Sequence, residues 1–315
     1  MPSLLPSRLN GGQRSQDAAR LLLAELLGQF KADLAEGMDW DAAVARLNTL
    51  YGRDLEELLA WATKAAAREP IEERFLAAVR TVFSAARDEV LAKLKAASDL
   101  SAELAKHEMA LGNAVAADFL FDLGAFKDQL NYALRNVAAS ALQEAGQAQF
   151  AALGRDDVFT MPPPRAVRFL REREKRIEAM ADDVFARVRD ELQAGLGQGD
   201  SLAKLAARIE GEFTGLSRER AVVVAQTEAG AAYGVANDEA IRQADGGSGR
   251  LRKVWLTSGL PNTRHSHLEA ARRSEQGIPL DQPFSNGLMY PGDETGPAEE
   301  VINCRCTLIS REVET

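Results

Sequence analysis

Apolar residues recur at three- and four-residue steps over most of this chain. Leu22, Leu23, Leu26, Leu27, Phe30 and Leu34 set the first stripe, with the period of a helix that buries one face. Glu36-Gly37 ends it, and Asp39 is placed to cap a helix carrying Val44 and Leu47. Gly52 interrupts the pattern, which resumes at Leu55, Leu58 and Leu59 and runs towards a stop at Glu69-Pro70. Phe75, Val79, Val82, Phe83, Val90, Leu91 and Leu94 mark a further stripe. Phe119, Leu123, Phe126, Leu130, Leu134 and Val137 mark another, with Gly112 and Gly124 as candidate bends. His107 falls near the Leu100, Leu104 and Leu111 stripe and reads as a core or boundary histidine.

The run Thr160-Met161-Pro162-Pro163-Pro164-Arg165 predicts an extended spacer and a boundary, because consecutive prolines do not continue a helix. Beyond it, Leu170, Ile177, Met180, Val184, Val188 and Leu192 predict a helix whose first turns mix Arg and Lys175 with Glu172, Glu174 and Glu178. Such mixing is expected of a solvated, ion-paired face. The alternative is nucleic-acid contact through Arg165, Arg168, Arg171, Arg173 and Arg176. Gly195-Leu196-Gly197-Gln198-Gly199-Asp200-Ser201 ends that helix and caps the next, through Leu202, Leu205, Ile209 and Phe213. No strand precedes those glycines and no Lys-Ser/Thr follows the last, so a turn is expected rather than a phosphate loop. A helix from about Ser217 carries Arg218, Arg220, Val223, Val224, Thr227, Ala231 and Tyr233.

The period changes after Asp245-Gly246-Gly247-Ser248-Gly249. Lys253 to Ser258 and Glu300 to Ile309 read as strands, and Gly, Pro, Asn and Ser crowd the stretch between them. The expected architecture is mainly α with a small α+β C-terminal domain. It divides into a flexible arm at 1–14, a helical region at 15–160 and a C-terminal domain at 161–315. That domain holds helices over 165–245 and a small α+β unit over 250–315.

Composition agrees with the helical reading. The 315 residues are 46% hydrophobic but only 6% aromatic, and Ala and Leu lose little side-chain freedom in helices. A formal net charge of -9 argues against a protein that coats nucleic acid without sequence preference. Two cysteines cannot build a disulfide framework, so a reducing compartment is the default. The N-terminal MPSLLPSRLNGGQRS has no apolar run after a basic start, so no leader is expected. Nothing approaches 18 uninterrupted apolar residues, so no membrane span is expected.

Chemistry gathers near the end of the chain. His265 and His267 are separated by one residue, and so are Cys304 and Cys306. Residues two apart on a strand share a face, so Cys304 and Cys306 are expected together, with Arg305 pointing away. If 265–267 is extended, the two histidines share a face as well. The four side chains then make a Cys₂His₂ set suited to zinc. A second reading is packing alone, since cysteine is among the most buried residues. A third is catalytic: His265 or His267 would pair with Glu228, Asp293 or Glu300, and a metal-assisted nuclease would place both histidines and an acid on a metal with water as nucleophile. A Cys304–Cys306 disulfide would be strained.

Three stretches, RERAVVVAQTEAGAAYGVAN, KVWLTSGLPNTRHSHLEA and PGDETGPAEEVINCRCTL, resemble the phage head morphogenesis family of Mu F-like minor capsid proteins. The matching residues are Arg220, Thr227 and Glu228, then Lys253 and Trp255, then Arg264 and His267. Pro291, Gly292 and Asp293 follow, and Asn303, Cys304, Arg305 and Cys306 complete the series. The resemblance covers roughly 165–315, with Gln226 where the family more often has Arg.

The resemblance implies a minor head protein of a tailed phage or prophage that has no catalytic residues. It would act in head morphogenesis by association with the portal and the capsid interior, with a part in DNA packaging or ejection. Portal and capsid proteins are the implied partners, packaged DNA a further one, and zinc the candidate cofactor. The implied location is the virion head, and the host cytoplasm during assembly. Similar domains occur attached to toxin or ADP-ribosyltransferase modules, and no such module is expected after Thr315. The alternative is a metal-dependent nuclease or toxin-like enzyme that uses the His/Cys cluster.

Overall fold

The computed structural model describes residues 55–104, 120–258 and 262–313, together with scattered positions between 28 and 49. The 1–14 arm, the whole first stripe from Leu22 to Leu34, Val44, Leu47, Gly52, His107 and Gly112 lie outside the described residues. Where the early pattern is described it follows the reading. Gly37 takes a left-handed conformation (φ 88°), and Asp39 Oδ1 accepts the Ala42 N–H at 2.8 Å as a helix cap.

Five long helices dominate the described residues. They are α1 (Leu55–Leu104), α2 (Leu123–Ala152), α3 (Pro163–Gly197), α4 (Leu202–Gly215) and α5 (Ala221–Asp245), with a π-helical turn over Leu216–Arg220 leading into the last. Strand β1 (Leu251–Leu256) follows, then helix α6 (His265–Arg273), the short α7 (Ala298–Val301) and strand β2 (Thr307–Glu312). The fold is therefore mainly α, with a small two-stranded C-terminal sheet.

Several boundaries differ from the expectation, each for a local reason. Helix α1 runs through Pro70 instead of stopping there. One backbone hydrogen bond is forfeited at that turn, while Ile71 is buried and Arg68 Nε reaches Glu72 Oε1 at 3.0 Å across the same turn. The proline run is not an extended spacer throughout. Helix α3 begins at Pro163, in the first turn, where a missing N–H costs nothing. Gly124 bends nothing, because it sits in the first turn of α2. Ser201 does cap α4, accepting from Lys204 N at 3.4 Å.

The described chain forms two compact units that interleave along the sequence. One takes in residues up to Glu72, Ala141–Pro162 and Gln226 onward; the other is Glu73–Ser140 with Pro163–Ala225. A linear division at residue 160 thus separates segments that pack in one unit. The second unit is all helix. Its core holds Phe75, Val79, Phe83, Val90, Leu130, Val184, Val188, Ile209 and Phe213. Phe121 is a hub there, with ring centroids 5.1 Å from Phe126, 5.6 Å from Phe185 and 6.1 Å from Phe213.

The first unit carries the sheet. β1 and β2 pair antiparallel from Leu251↔Glu312 to Leu256↔Thr307, and Lys253 makes an additional backbone bridge to Ile278. Both faces of β1 are covered: Lys253, Val254, Trp255 and Leu256 are all buried. Trp61 and Ala62 of α1 pack against Leu256. Trp255, on the other face, meets Phe284 at 5.1 Å and His267 at 4.9 Å. Elsewhere in this unit Phe159 lies over α2 at Gly146, where any Cβ would meet its ring at 2.1 Å. Among the described residues no helix is long and apolar enough to cross a membrane.

Candidate metal centre

The short helix α7, the segment after it and strand β1 all meet His267 at the start of α6. Helix α6 opens at His265, so residues 265–267 are helical, not extended. At about 100° per residue, positions two apart point to nearly opposite sides. His267 accordingly faces inward (1% exposed), while His265 is exposed. The expectation that both histidines share a face is corrected by this helix, and His265 stands apart from the cluster.

The second pair of donors comes from an irregular segment. The chain over 300–306 is not a strand: α7 ends at Val301, and β2 begins only at Thr307. Asn303 takes a left-handed φ of 55°, a conformation that Asn tolerates better than most residues. Its N–H donates to Thr227 Oγ1 of α5 at 2.9 Å. That anchor sets the two thiols on one side and Arg305 on the other, so the expected alternation survives without the strand.

The geometry is close. His267 Nδ1 lies 3.3 Å from Cys306 Sγ and 3.6 Å from Cys304 Sγ. The three donor atoms all lie within 4.8 Å of one another, and all three residues are buried. On the far side of the ring, His267 Nε2 is 2.9 Å from Glu300 Oε2. Ser266 Oγ donates to the same carboxylate at 2.9 and 3.0 Å. The carboxylate on Nε2 fixes the ring with Nδ1 facing the sulfurs.

The thiols are unequal. Cys304 is held well below the usual thiol range, first by a hydrogen bond from Cys306 and then by His267. Cys306 is pushed well above it, first by burial and then by the Cys304 charge. The arrangement favours one thiolate beside one thiol. Both cysteines are free.

Arg305 completes the segment from the other side. Its Nη1 pairs with Glu72 of α1, and its carbonyl accepts the Trp61 indole N–H at 3.1 Å. Burial first, and the nearby Arg68 charge second, push Arg305 down to about 10. Nothing in the spacing of the C-terminal motifs points to Trp61, Arg68 or Glu72. The one local signal is the Arg68–Glu72 pair at helical i, i+4 spacing.

Residues 186–309 match the family model described as "Phage Mu protein F like protein". The chain carries a Mu F-like region. An NAD(+)--arginine ADP-ribosyltransferase EFV of Enterococcus faecalis (strain ATCC 700802 / V583) is 31% identical over 137 residues. That alignment covers 43% of this chain and 27% of the relative, so the chain spans about a quarter of that protein's length. No solved structure matches the chain at a significant level.

The Mu F-like motif residues occupy structural posts. Lys253 is fully buried and donates from Nζ to the Met289 carbonyl at 2.9 Å, with its ammonium 5.1 Å from the Phe284 ring centroid. The Trp255 N–H donates to Ser274 Oγ at 2.9 Å. Arg264 Nη2 donates to the Ile302 carbonyl at 2.7 Å, tying the start of α6 to the end of α7. Asp293 accepts from Met289 N (2.9 Å), Thr295 N (2.9 Å) and Thr295 Oγ1 (2.7 Å).

Gly292 is left-handed (φ 79°) and lies against the Ala231 backbone. Pro291 O sits where a Cβ on Gly234 would be, 2.1 Å away. Glu228 is buried on α5, and Arg220 pairs with Asp183 at 3.0 Å.

Of the arginines weighed for nucleic-acid contact, Arg168 and Arg171 are exposed, Arg165 and Arg176 half-buried. Arg173 is 2% exposed, so it is removed from any phosphate-facing set. Glu172 draws Lys175 to 2.8 Å and Arg171 to 3.5 Å, the interleaved ion pairing the sequence suggests. Neither Glu228 nor Asp293 is among the residues grouped as metal donors with His267. Glu300 reaches that ring from behind.

Proposed function

We propose that this protein is a minor head protein of a tailed phage or prophage, acting in head morphogenesis by binding the portal and the capsid interior. The observation that carries this is the Mu F-like match over residues 186–309, a family of phage head morphogenesis. The posts held by Lys253, Asp293, Arg264 and Arg305 support a binding role, because each of these groups is spent on an internal partner. The protein then works as a binding component of the head, and a share in DNA packaging or ejection follows from that position. The virion head is its destination and the host cytoplasm its place of assembly.

The test is a density gradient of a lysate from cells producing the parent phage, probed for this chain. Co-sedimentation with procapsids or mature heads is the expected result. Recovery only in the soluble fraction would overturn the virion assignment.

A second reading rests on the ADP-ribosyltransferase relative. It takes the chain to be enzymatic, with NAD(+) as donor and arginine as acceptor. Transfer of label from NAD(+) to an arginine-containing protein separates the two readings. No transfer is expected under the head-protein reading, and transfer would favour the enzymatic one.

A further inference from the structure

We propose that Cys304, Cys306 and His267 hold a zinc ion, with Glu300 as the outer carboxylate that fixes the histidine. Among the described residues the site has three protein donors, not the four that the sequence spacing suggests. This goes beyond the head-protein reading and does not depend on it.

Distances carry the argument. A tetrahedral zinc with ordinary Zn–S and Zn–N bonds has a sulfur-to-nitrogen edge of roughly 3.5 Å. The two edges from His267 Nδ1 are 3.3 and 3.6 Å. Core packing alone does not require a ring nitrogen to meet two sulfurs at the edge length of a coordination tetrahedron. It equally does not require Nδ1 to be aimed there. The aim comes from behind, where Glu300 holds Nε2 at 2.9 Å and is itself held by Ser266. Carboxylate, imidazole and metal in line is the usual outer arrangement of zinc histidines. The donor chemistry also selects the ion, since two thiolates and an imidazole favour zinc over hard cations such as magnesium or calcium. Two thiolates would neutralise the ion's charge, which suits a buried site.

The site also has a structural purpose. It joins the start of α6 to the 304–306 segment, two pieces of chain about forty residues apart. Metal binding there would contribute directly to folding of the C-terminal region.

The experiment measures zinc in the full chain, purified without a histidine tag, and follows replacement of zinc by cobalt in the visible and near-ultraviolet. One zinc per chain is expected, with a thiolate-to-cobalt charge-transfer band. His265→Ala should keep both. Glu300→Gln should keep the stoichiometry and weaken zinc affinity by about 10–100-fold. Cys304→Ser and His267→Ala should lose the charge-transfer band or the fold. Natively folded protein that takes up neither zinc nor cobalt would overturn the proposal. Loss of the metal in His265→Ala would overturn the three-donor assignment. Zinc content is read independently of sedimentation with heads, so failure of either reading leaves the other standing.

Discussion

The two compact units hold themselves together in different ways. The unit of Glu73–Ser140 and Pro163–Ala225 is helix on helix, with Phe121, Phe126, Phe185 and Phe213 packed at its centre. Its stability is spread over many apolar contacts, none of which demands a unique geometry. The unit containing β1 and β2 instead buries Lys253, Asp293, Glu294, His267, Arg305 and Glu72. Polar groups removed from water must be paired, and pairing works at only one distance and angle. A sheet of two strands is not stable by itself, so the loops around it are fixed by hydrogen bonds. The lesson is that this region is specified by geometry, and the helical one by volume.

That contrast can be broken most sharply at Gly234. A Gly234→Val substitution would drive its side chain into the Pro291 carbonyl. It should cost about 3 kcal/mol or more, read as a collapse of the denaturation midpoint; a near-normal midpoint would show that the Pro-Gly-Asp loop can move aside. Asp293→Asn comes next, at about 1–3 kcal/mol. It places an amide donor where the carboxylate now receives two N–H groups and a hydroxyl. Hydrogen exchange at Met289 and Thr295 would locate the loss. In the helical unit, Phe213→Leu should cost only about 1–1.5 kcal/mol, because neighbouring rings can close in. A larger loss than for Asp293→Asn, in matched urea titrations, would invert the comparison. The smallest effect is expected at Asn303. Glycine adopts its φ of 55° freely, so Asn303→Gly should stay within about 0.5 kcal/mol, checked by thermal melting.

The helical part of the fold was largely legible in the sequence, and the C-terminal site only half so. The Phe75 to Leu94 stripe and the Ile177 to Leu192 stripe predict helices, because a buried face repeats with the turn. Pro70 and Pro163 mislead in opposite ways. Proline forbids one N–H contact, but its effect depends on whether that N–H was needed, and only the neighbouring packing decides that. At the site, the pairing of Cys304 with Cys306 was readable from spacing. His265 was not separable from His267, because two histidines one residue apart share a face only on an extended segment, and the chain begins a helix there. Glu300 could be listed as a candidate acid, but its place behind the ring depends on α7 and on Ser266. The roles of Trp61 and Glu72 were hidden for a different reason. They touch Arg305 from more than 230 residues away, and no local pattern encodes such a contact.

The pairing of Trp61 with the Arg305 carbonyl spans 244 residues, which turns a spatial fact into one of timing. A ribosome adding about 5–20 residues per second needs roughly 12–50 s to travel from one partner to the other. For nearly all of that interval the tryptophan and the Glu72 carboxylate exist without what they will bind. The helical segments have nearby partners and can consolidate early. The C-terminal region is therefore assembled last and all at once, and what protects its early half during synthesis becomes a matter for the cell.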